Sequence, residues 1–350
     1  MNDRDRSVFV RRLIKWHDED KHRQIISAIE ALGGDGLDYE ISSYYARALN
    51  NLNRYQEALD TLLPLEREGS ADGKWYFRVG YSLYHLGREA EAAEYFRKAI
   101  DYGDDAADTR TMLELSLGDA EQRRRGREVY HPELYTADEL DCLEDHILRY
   151  FGAFHNVFHE LSSPDIHVDI AVIEPTKEHN YYTLITMGMG AHRMNVPPEL
   201  GALERAELLI SLPPDWNLEE DALADEKWYW PLQWLKILAR LPIMEDTYLG
   251  WGHTLSNEGS IAENTELEGI LLLYPGAFHE RASVCEIPGG QINFYQLVPI
   301  YREEMEFKIN NSVEHLLEFL DNSMLEHVDI ARRNVCKGWD QFSLKKFNLI

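Results

Sequence analysis

The stretch Ile166-His-Val-Asp-Ile-Ala-Val-Ile-Glu-Pro175, followed after a polar turn by Tyr181-Tyr-Thr-Leu-Ile-Thr-Met-Gly-Met189, decides the fold class of the second half of the chain. Apolar residues alternate with other side chains along the first run, which predicts a β-strand with one buried face. Pro175 ends that strand because proline cannot donate a hydrogen bond to a neighbouring strand. The second run is aromatic and β-branched, so it predicts a strand that pairs with the first as a hairpin.

Further short elements surround this hairpin. Thr136-Ala-Asp-Glu139 is a capping-box pattern and predicts the start of a helix. Trp230-Pro231 predicts the start of another helix, because proline is tolerated in the first helical turn. Strands are predicted at 204–212, 270–273 and 291–300, and a helix at 312–320. Helices and strands alternate without a regular βαβ rhythm, which favours an α+β domain.

The first third of the chain contains an internal repeat. An offset of 34 residues aligns Leu49 with Leu83 and Ala58 with Ala92. Two small residues where helices cross, with a large apolar residue four positions later, resemble the tetratricopeptide repeat (TPR). Residues 8–16 and 23–32 are interpreted as a degenerate helix pair that caps the stack. The pattern predicts an all-α domain of helical hairpins over residues 1–125.

A solenoid of this kind is a binding scaffold and has no chemistry of its own. Its groove either holds a peptide or docks against the rest of the chain, and the sequence leaves both alternatives open. Tyr45 and Tyr76 are the candidate contacts of the groove.

The negative charge is concentrated in the second part of the chain. The formal net charge of the 350 residues is −27, and residues 126–350 carry 38 Asp and Glu against 16 Lys and Arg. Such a field repels nucleic acid and anionic membranes and attracts a basic protein partner. The alternative is that the charge only keeps the protein in solution. The basic run at 123–127 is interpreted as a linker or a contact to the acidic part, and a second domain is predicted over 130–350.

Cellular location is predicted from the cysteines and from the apolar runs. Cys142, Cys285 and Cys336 are odd in number and far apart, which favours a reducing compartment over a disulfide framework. The charged N-terminus has no signal-peptide pattern, and no apolar run approaches the roughly 20 residues of a membrane span. A cytoplasmic location without membrane contact is therefore expected.

The second half of the chain resembles the suppressor of fused family. The resemblance covers about residues 135–340 and rests on a series of short matching segments in one order. These include Val157-Phe-His-Glu160, Ile166-His-Val-Asp-Ile170, Ala206-Glu-Leu-Leu-Ile-Ser-Leu-Pro213, Trp230-Pro-Leu-Gln-Trp-Leu-Lys236, Tyr248-Leu-Gly-Trp-Gly-His-Thr254 and Ile292-Asn-Phe-Tyr-Gln-Leu-Val-Pro299.

The resemblance implies a protein-binding role. The animal member sequesters a transcription factor by gripping an extended peptide between two subdomains, and bacterial relatives are regarded as immunity proteins that neutralise toxins. This chain resembles only the first subdomain, with helical repeats in front of it. The contact residues of the animal clamp are therefore not carried over, and the bacterial immunity type is the better match.

Three groups of residues are candidates for a site. His155 and His159 are four residues apart, which places them on one face if the segment is helical and makes them a weak metal candidate. Their order differs from the zinc-protease pattern, so a structural role is favoured. Trp251 and His253, in Gly250-Trp-Gly-His-Thr254, form either a packed turn or a ligand-binding loop. The alternation in Glu303-Glu304-Met-Glu306 predicts a strand that presents carboxylates to a cationic partner.

Together these patterns predict a protein without enzymatic activity and without cofactors, which neutralises a basic protein partner such as a nuclease toxin by direct binding. One alternative is an adaptor whose repeats hold a peptide. A less favoured alternative is a metal-dependent hydrolase that uses His155, His159 and His253. Trp251, His253, Glu303, Glu304, Glu306, Tyr45 and Tyr76 are the predicted partner contacts.

Overall fold

The computed structural model describes residues 3–33, 37–127, 129, 132–160, 163 and 165–338. The chain divides into two compact units, which are described separately. The helical unit comprises residues 1–140 and 160–167, and the sheet unit comprises residues 141–159 and 168–350. The α+β fold class predicted from the sequence is confirmed.

The helical unit is built from antiparallel helix pairs. Its helices are α1 Asp3–Asp18, α2 His22–Glu30, α3 Tyr39–Asn51, α4 Tyr55–Leu62, α5 Glu66–Gly69, α6 Gly73–His85, α7 Glu89–Asp101 and α8 Ala107–Arg124. One continuous apolar core, from Phe9 in α1 to Met112 in α8, holds them together. Among the described helices of the chain, none combines the length and the apolar character that crossing a membrane requires.

The 34-residue offset found in the sequence is also the offset between helix starts. Helices α3, α6 and α8 begin at Tyr39, Gly73 and Ala107. The side chain of Asp38 accepts a hydrogen bond from the backbone N–H of Ile41, and Asp72 accepts one from the backbone N–H of Lys74. Aspartate is a favoured N-cap because it satisfies a backbone N–H that the helix leaves unpaired. The predicted helical region is therefore present.

The described residues of the sheet unit form one mixed eight-stranded sheet. The strands are β1 Phe154–Phe158, β2 Asp169–Ile173, β3 Tyr182–Met187, β4 Ala206–Leu212, β5 Thr254–Ser256, β6 Gly269–Leu273, β7 Val284–Ile287 and β8 Gly290–Ile300. Their order is β1-β2-β3-β4-β8-β6-β5, with β7 also paired to β8. Strands β4 and β8 are parallel, and the other pairs are antiparallel. All residues of β4 and β6 are buried, as expected for strands covered on both faces.

The predicted hairpin is confirmed. Strands β2 and β3 pair antiparallel from Asp169 opposite Met187 to Ile173 opposite Thr183. The first strand begins at Asp169, three residues later than the alternation from Ile166 predicts. Alternation alone does not define where pairing begins, because a strand also needs a partner at each position.

Helices pack on the sheet or follow it. They are α9 Ala137–Tyr150, α10 Glu226–Met244, α11 Arg302–Asn310, α12 Val313–Leu317 and α13 Asn322–Glu326, and short 3₁₀ segments lie at Leu63–Leu65, Met189–Ala191, Pro198–Leu203, Ala222–Ala224 and Glu280–Ser283. The capping box of α9 is confirmed, because the backbone N–H of Thr136 donates to Glu139 and that of Glu139 donates to the Thr136 hydroxyl. Helix α10 begins five residues before Pro231, so the predicted start is wrong.

The strand predicted at Glu303–Glu306 is wrong, because these residues lie in helix α11. Strand β8 ends at Ile300, and the chain turns into a helix whose third residue, Glu304, points into the protein. Four residues are too few to distinguish the two-residue period of a strand from the 3.6-residue period of a helix. The partner that decides between them, Arg332, lies 28 residues further along the chain.

Candidate partner-binding site

One of the two edge strands of the sheet, β5, lines a groove. Strand β5 ends the sheet order and pairs only with β6 among the described strands. Residues of β5 and of helix α10 line a cavity of about 620 Å³. We call this cavity the α10–β5 groove. An edge strand of this kind presents unpaired backbone N–H and C=O groups.

The lining of the groove includes seven apolar and two acidic residues. Its apolar residues are Trp234, Ile237, Leu238, Leu241, Leu255, Ile261 and Ala262. Glu226 and Glu263 are both exposed, and no Lys or Arg is among the described residues that line the groove. Ile237 is 46% exposed although it lies in the middle of helix α10. The groove therefore offers apolar contact and negative charge to a partner.

Specific contacts hold the two sides of the groove in place. The indole N–H of Trp234 donates to the carbonyl oxygen of Ile261 over 3.4 Å, which ties α10 to the segment after β5. On the sheet side, Ser256 pairs with Gly269. A Cβ atom at residue 269 would lie 2.7 Å from the Leu255 carbonyl oxygen, so glycine is needed for β5 to approach β6.

The loop with Trp251 and His253 forms a packed turn next to β5. Gly252 has φ +79°, and its backbone N–H donates to the Leu272 carbonyl oxygen over 2.7 Å. The Trp251 ring stacks on Tyr274 at 6.3 Å between centroids, and the His253 ring lies 5.0 Å from that of Tyr248. Burial, followed by the positive charge of Lys308, lowers the pKa of His253. Neither residue lines the groove, so their role as partner contacts stays a prediction.

The three glutamates of α11 have different surroundings. Glu303 accepts a hydrogen bond from the Asn334 side chain over 2.8 Å and lines a second cavity of about 590 Å³, which shares Ser260 with the groove. Glu306 pairs with Arg302 over 3.0 Å at the surface. Glu304 has no exposed surface. The prediction that Glu304 contacts a partner is corrected, because its side chain is buried and has a structural role.

One family model matches a part of the chain that includes the groove. Residues 164–333 match the family model of the suppressor of fused protein (SUFU). We call these residues the SUFU region. The match agrees with the resemblance seen in the sequence and includes the whole of the α10–β5 groove.

Proteins similar to this chain include one curated relative. It is an uncharacterized protein of Ureaplasma parvum, 28% identical over 208 residues, and the alignment covers 58% of this chain and 98% of the relative. Among solved structures, a SUFU homolog from Neisseria gonorrhoeae is 17% identical with a TM-score of 0.41, over 57% of this chain and 98% of that one.

Two further solved structures are similar. A chain from a Sufu–Fu complex is 15% identical with a TM-score of 0.42, over 59% of this chain and 94% of that chain. Drosophila Suppressor of Fused is 15% identical with a TM-score of 0.37, and the match covers 57% of this chain and 50% of that one.

The predicted groove contacts of the first third lie outside the SUFU region. Tyr45 is partly exposed on α3, and its hydroxyl donates to Glu30 over 3.1 Å. Tyr76 is only 7% exposed, and its hydroxyl donates to the backbone of Ser70. Its ring stacks on Tyr102. The prediction for Tyr76 is corrected, because its side chain belongs to the core, whereas Tyr45 remains a candidate.

The two candidate metal ligands ahead of the SUFU region do not share a helical face. Residues 154–158 form strand β1, so His155 and His159 are separated along extended backbone by about 13 Å at 3.3 Å per residue. The side chain of His155 lies outside the described part of the chain. His159 Nδ1 lies 2.9 Å from a carboxylate oxygen of Asp169.

Sequence reasoning missed the residues that form the groove of the SUFU region. Ile237 has the helical spacing of a core residue, yet the structure leaves it exposed. Leu255 lies in a strand of three residues, too short for an alternation to be recognised. An apolar residue that stays exposed beside a sheet edge can be identified only once the edge is known.

Proposed function

We propose that this chain is a non-enzymatic protein-binding protein that holds an extended, basic segment of a partner in the α10–β5 groove. In this proposal residues 130–350 form a suppressor of fused-type domain, and residues 1–125 form a TPR-like domain in front of it. The observation that carries the proposal is an edge strand, β5, that lines a groove in which the charged residues among those described are Glu226 and Glu263. The family match supports a protein-interaction role.

Strand addition is the binding mode that suits such a groove. An extended peptide that pairs with a sheet edge gains backbone hydrogen bonds, and its alternate side chains point to one side. Apolar side chains of the peptide would contact Ile237 and Leu255, both of which line the groove. Lysine or arginine side chains of the peptide would meet Glu263 and Glu226, which selects basic over acidic segments.

The partner that fits best is a basic toxin, so the chain acts as an immunity-type protein of bacterial kind. A net charge of −27 accelerates encounter with a basic protein and disfavours anionic ones. Nucleases carry basic surfaces for their substrate, and occupying such a surface blocks the enzyme without chemistry. Neutralisation by this route is stoichiometric, with one chain per toxin.

An adaptor role is the second candidate. It is supported by helix starts at Tyr39, Gly73 and Ala107, which repeat every 34 residues as in TPR scaffolds. An adaptor binds several partners weakly, whereas an immunity protein binds one partner tightly.

The test begins with capture of partners from the source cells, followed by titration calorimetry with each purified partner. We expect one basic partner, bound in a 1:1 complex, whose activity is lost at equimolar chain. Several weak partners would support the adaptor instead. If much less than one molecule of this protein per toxin molecule were enough to abolish the activity of the toxin, neutralisation would not be stoichiometric, and an enzyme would be indicated.

Groove variants make the test specific. Ile237→Asp places a charge on the apolar groove and is expected to weaken binding at least tenfold. Ile309→Asp is the matched control, since Ile309 is 67% exposed on α11 and does not line the groove. Equal binding by both variants, each with unchanged thermal unfolding, would exclude the groove as the site.

A further inference from the structure

A further cavity of the sheet unit shares no lining residue with the α10–β5 groove. Its volume is about 530 Å³. It is lined by Pro213, Asp215 and Trp216 after strand β4, by Trp228 in the first turn of α10, and by residues between 323 and 333, in and after α13. We call it the Trp216–Trp228 cavity. Small-molecule sites in proteins have volumes of about 300–1,000 Å³, so the size suits a small ligand.

The two tryptophans of this cavity are held at a right angle. Their ring centroids are 5.3 Å apart, and their planes make an angle of 89°. The indole N–H of Trp216 donates to the backbone carbonyl oxygen of Trp228 over 3.0 Å. The Trp216 ring also packs at 85° on the ring of Trp230, which is fully buried. The arrangement of the indoles is therefore fixed before a ligand arrives, which lowers the entropy that binding costs.

The two positive charges of the lining are compensated by residues outside it. Arg332 forms the buried, bidentate ion pair with Glu304. Arg333 lies at the surface and pairs with the carboxylate of Asp321 over 3.0 Å. Neither Glu304 nor Asp321 lines the cavity. The acidic residues of the lining therefore set the sign of its electrostatic potential.

Two carboxylates line the cavity without forming an ion pair with the described part of the chain. Asp215 is exposed and directly precedes Trp216, and none of the described residues forms a hydrogen bond with its carboxylate. Asp329 is also exposed, and its carboxylate accepts a hydrogen bond from the backbone N–H of Ala331 over 2.9 Å. A carboxylate has about four acceptor positions, so both can still contact a ligand. The cavity therefore favours a cation.

The chain itself shows that one of these indoles attracts a cation. The ammonium nitrogen of Lys227 lies 5.5 Å from the ring centroid of Trp228, within the reach of a cation–π interaction. Lys227 also pairs with Asp225 over 3.0 Å, and it is not among the residues that line the cavity. A ligand in the cavity would meet the Trp228 ring together with the perpendicular ring of Trp216.

We propose that the Trp216–Trp228 cavity binds a small quaternary ammonium compound with an apolar body. Indole rings attract such weakly hydrated cations, whereas metal ions of similar charge prefer a shell of oxygen ligands. The carboxylates of Asp215 and Asp329 compensate the positive charge of the ligand. Met324, Val328 and Ile330 also line the cavity and offer apolar contact to the rest of the ligand. This site is separate from the groove of the proposed function and does not depend on it.

The test compares choline with 3,3-dimethyl-1-butanol, a neutral molecule of the same shape that carries carbon in place of the ammonium nitrogen. Binding to the full chain is followed by titration calorimetry and by tryptophan fluorescence. We expect 1:1 saturable binding of choline that weakens as salt rises, with the neutral compound bound at least tenfold more weakly. Hexyltrimethylammonium should bind more tightly than choline, because its chain contacts the apolar lining.

Variants of the lining make the test specific. Trp228→Leu should reduce the affinity for choline at least tenfold, and Trp228→Phe should reduce it less, because an aromatic ring remains. Asp215→Asn should reduce it at least threefold. The matched controls are Trp251→Leu, at a partly exposed tryptophan, and Asp221→Asn, at an exposed aspartate, since neither residue lines the cavity. Circular dichroism and thermal unfolding confirm that each variant is folded.

Several outcomes would overturn the proposal. They are the absence of saturable choline binding, equal binding of the neutral compound, and equal losses in the control variants. A peptide with trimethyl-lysine that binds more tightly than hexyltrimethylammonium, and is lost in the same variants, would assign the cavity to a protein partner instead. The groove variant Ile237→Asp should bind choline as the unchanged chain does, so a failure of the proposed function and a failure of this site are distinguishable.

Discussion

Arg332 forms a bidentate ion pair with Glu304 in the interior of the sheet unit, where the two side chains are 3% and 0% exposed. The same carboxylate accepts hydrogen bonds from the backbone N–H groups of Tyr301 and Val335. Glu304 therefore joins the start of α11 to the segment that follows α13.

Breaking this pair should destabilise the sheet unit strongly. In Arg332→Met the carboxylate stays buried without its cation, and we expect a loss of about 3–5 kcal/mol in the free energy of unfolding. Urea unfolding followed by tryptophan fluorescence measures it. Arg302→Met breaks the exposed pair with Glu306 and should cost below about 1 kcal/mol. Similar losses in the two variants would show that the buried pair stabilises the sheet unit no more than the exposed pair does.

Two glycines in the helical unit should respond in opposite directions to alanine. A Cβ atom at Gly73 would lie 2.7 Å from the backbone oxygen of Ala99, whereas one at Gly118 meets nothing within 4 Å. Gly73→Ala should therefore destabilise by about 1–3 kcal/mol. Gly118→Ala, inside helix α8, should stabilise by about 0.5–1 kcal/mol. Thermal unfolding measures both changes, and a stabilising Gly73→Ala would mean that α6 and α7 are not in close contact at Ala99.

The three cysteines should differ in reactivity. Burial raises the pKa of Cys285 and of Cys336 to about 12, so at pH 8 almost no thiolate forms at either. Cys142 is partly exposed. We expect iodoacetamide to modify Cys142 first in the folded protein and all three equally in guanidinium, as followed by mass spectrometry. Rapid labelling of Cys285 in the native state would contradict the packing of α9 over β7.

Acidification should weaken the helical unit through His17. Burial lowers its pKa to about 4 in the folded chain against 6.5 for the free side chain, so the unfolded state binds a proton first as pH falls. Stability is therefore retained above pH 6.5 and lost between pH 6.5 and 4, by on the order of 2–3 kcal/mol. Urea unfolding at pH 7 and pH 5 measures the loss. In His17→Gln the loss should shrink, while His315→Gln, at an exposed position of α12, serves as control. An equal pH effect in both variants would assign it to another group.

Long regular patterns were predictable from the sequence. The 34-residue offset reappears in the starts of α3, α6 and α8, because each helix buries the same spaced residues against its neighbours. The hairpin of β2 and β3 was predictable because its alternation and its polar turn lie within about 20 residues.

Short or locally ambiguous segments were not predictable. The four residues 303–306 are too few to show the period of a helix or of a strand. Glu304 is buried because it pairs with Arg332, which is distant in the sequence. Tyr76 resembles an exposed groove residue in sequence but packs in the core against Tyr102. The groove beside β5 arises from two segments that no local pattern connects.

The sequence by itself therefore determined the helical first part, the α+β second part and the negative charge, since these depend on periodicity and composition that neighbouring residues share. Only the tertiary structure decided which side chains are exposed. It placed Ile237 in the groove that β5 lines and buried Glu304 with Arg332. Exposure and pairing depend on segments that are distant along the chain and meet only when it folds.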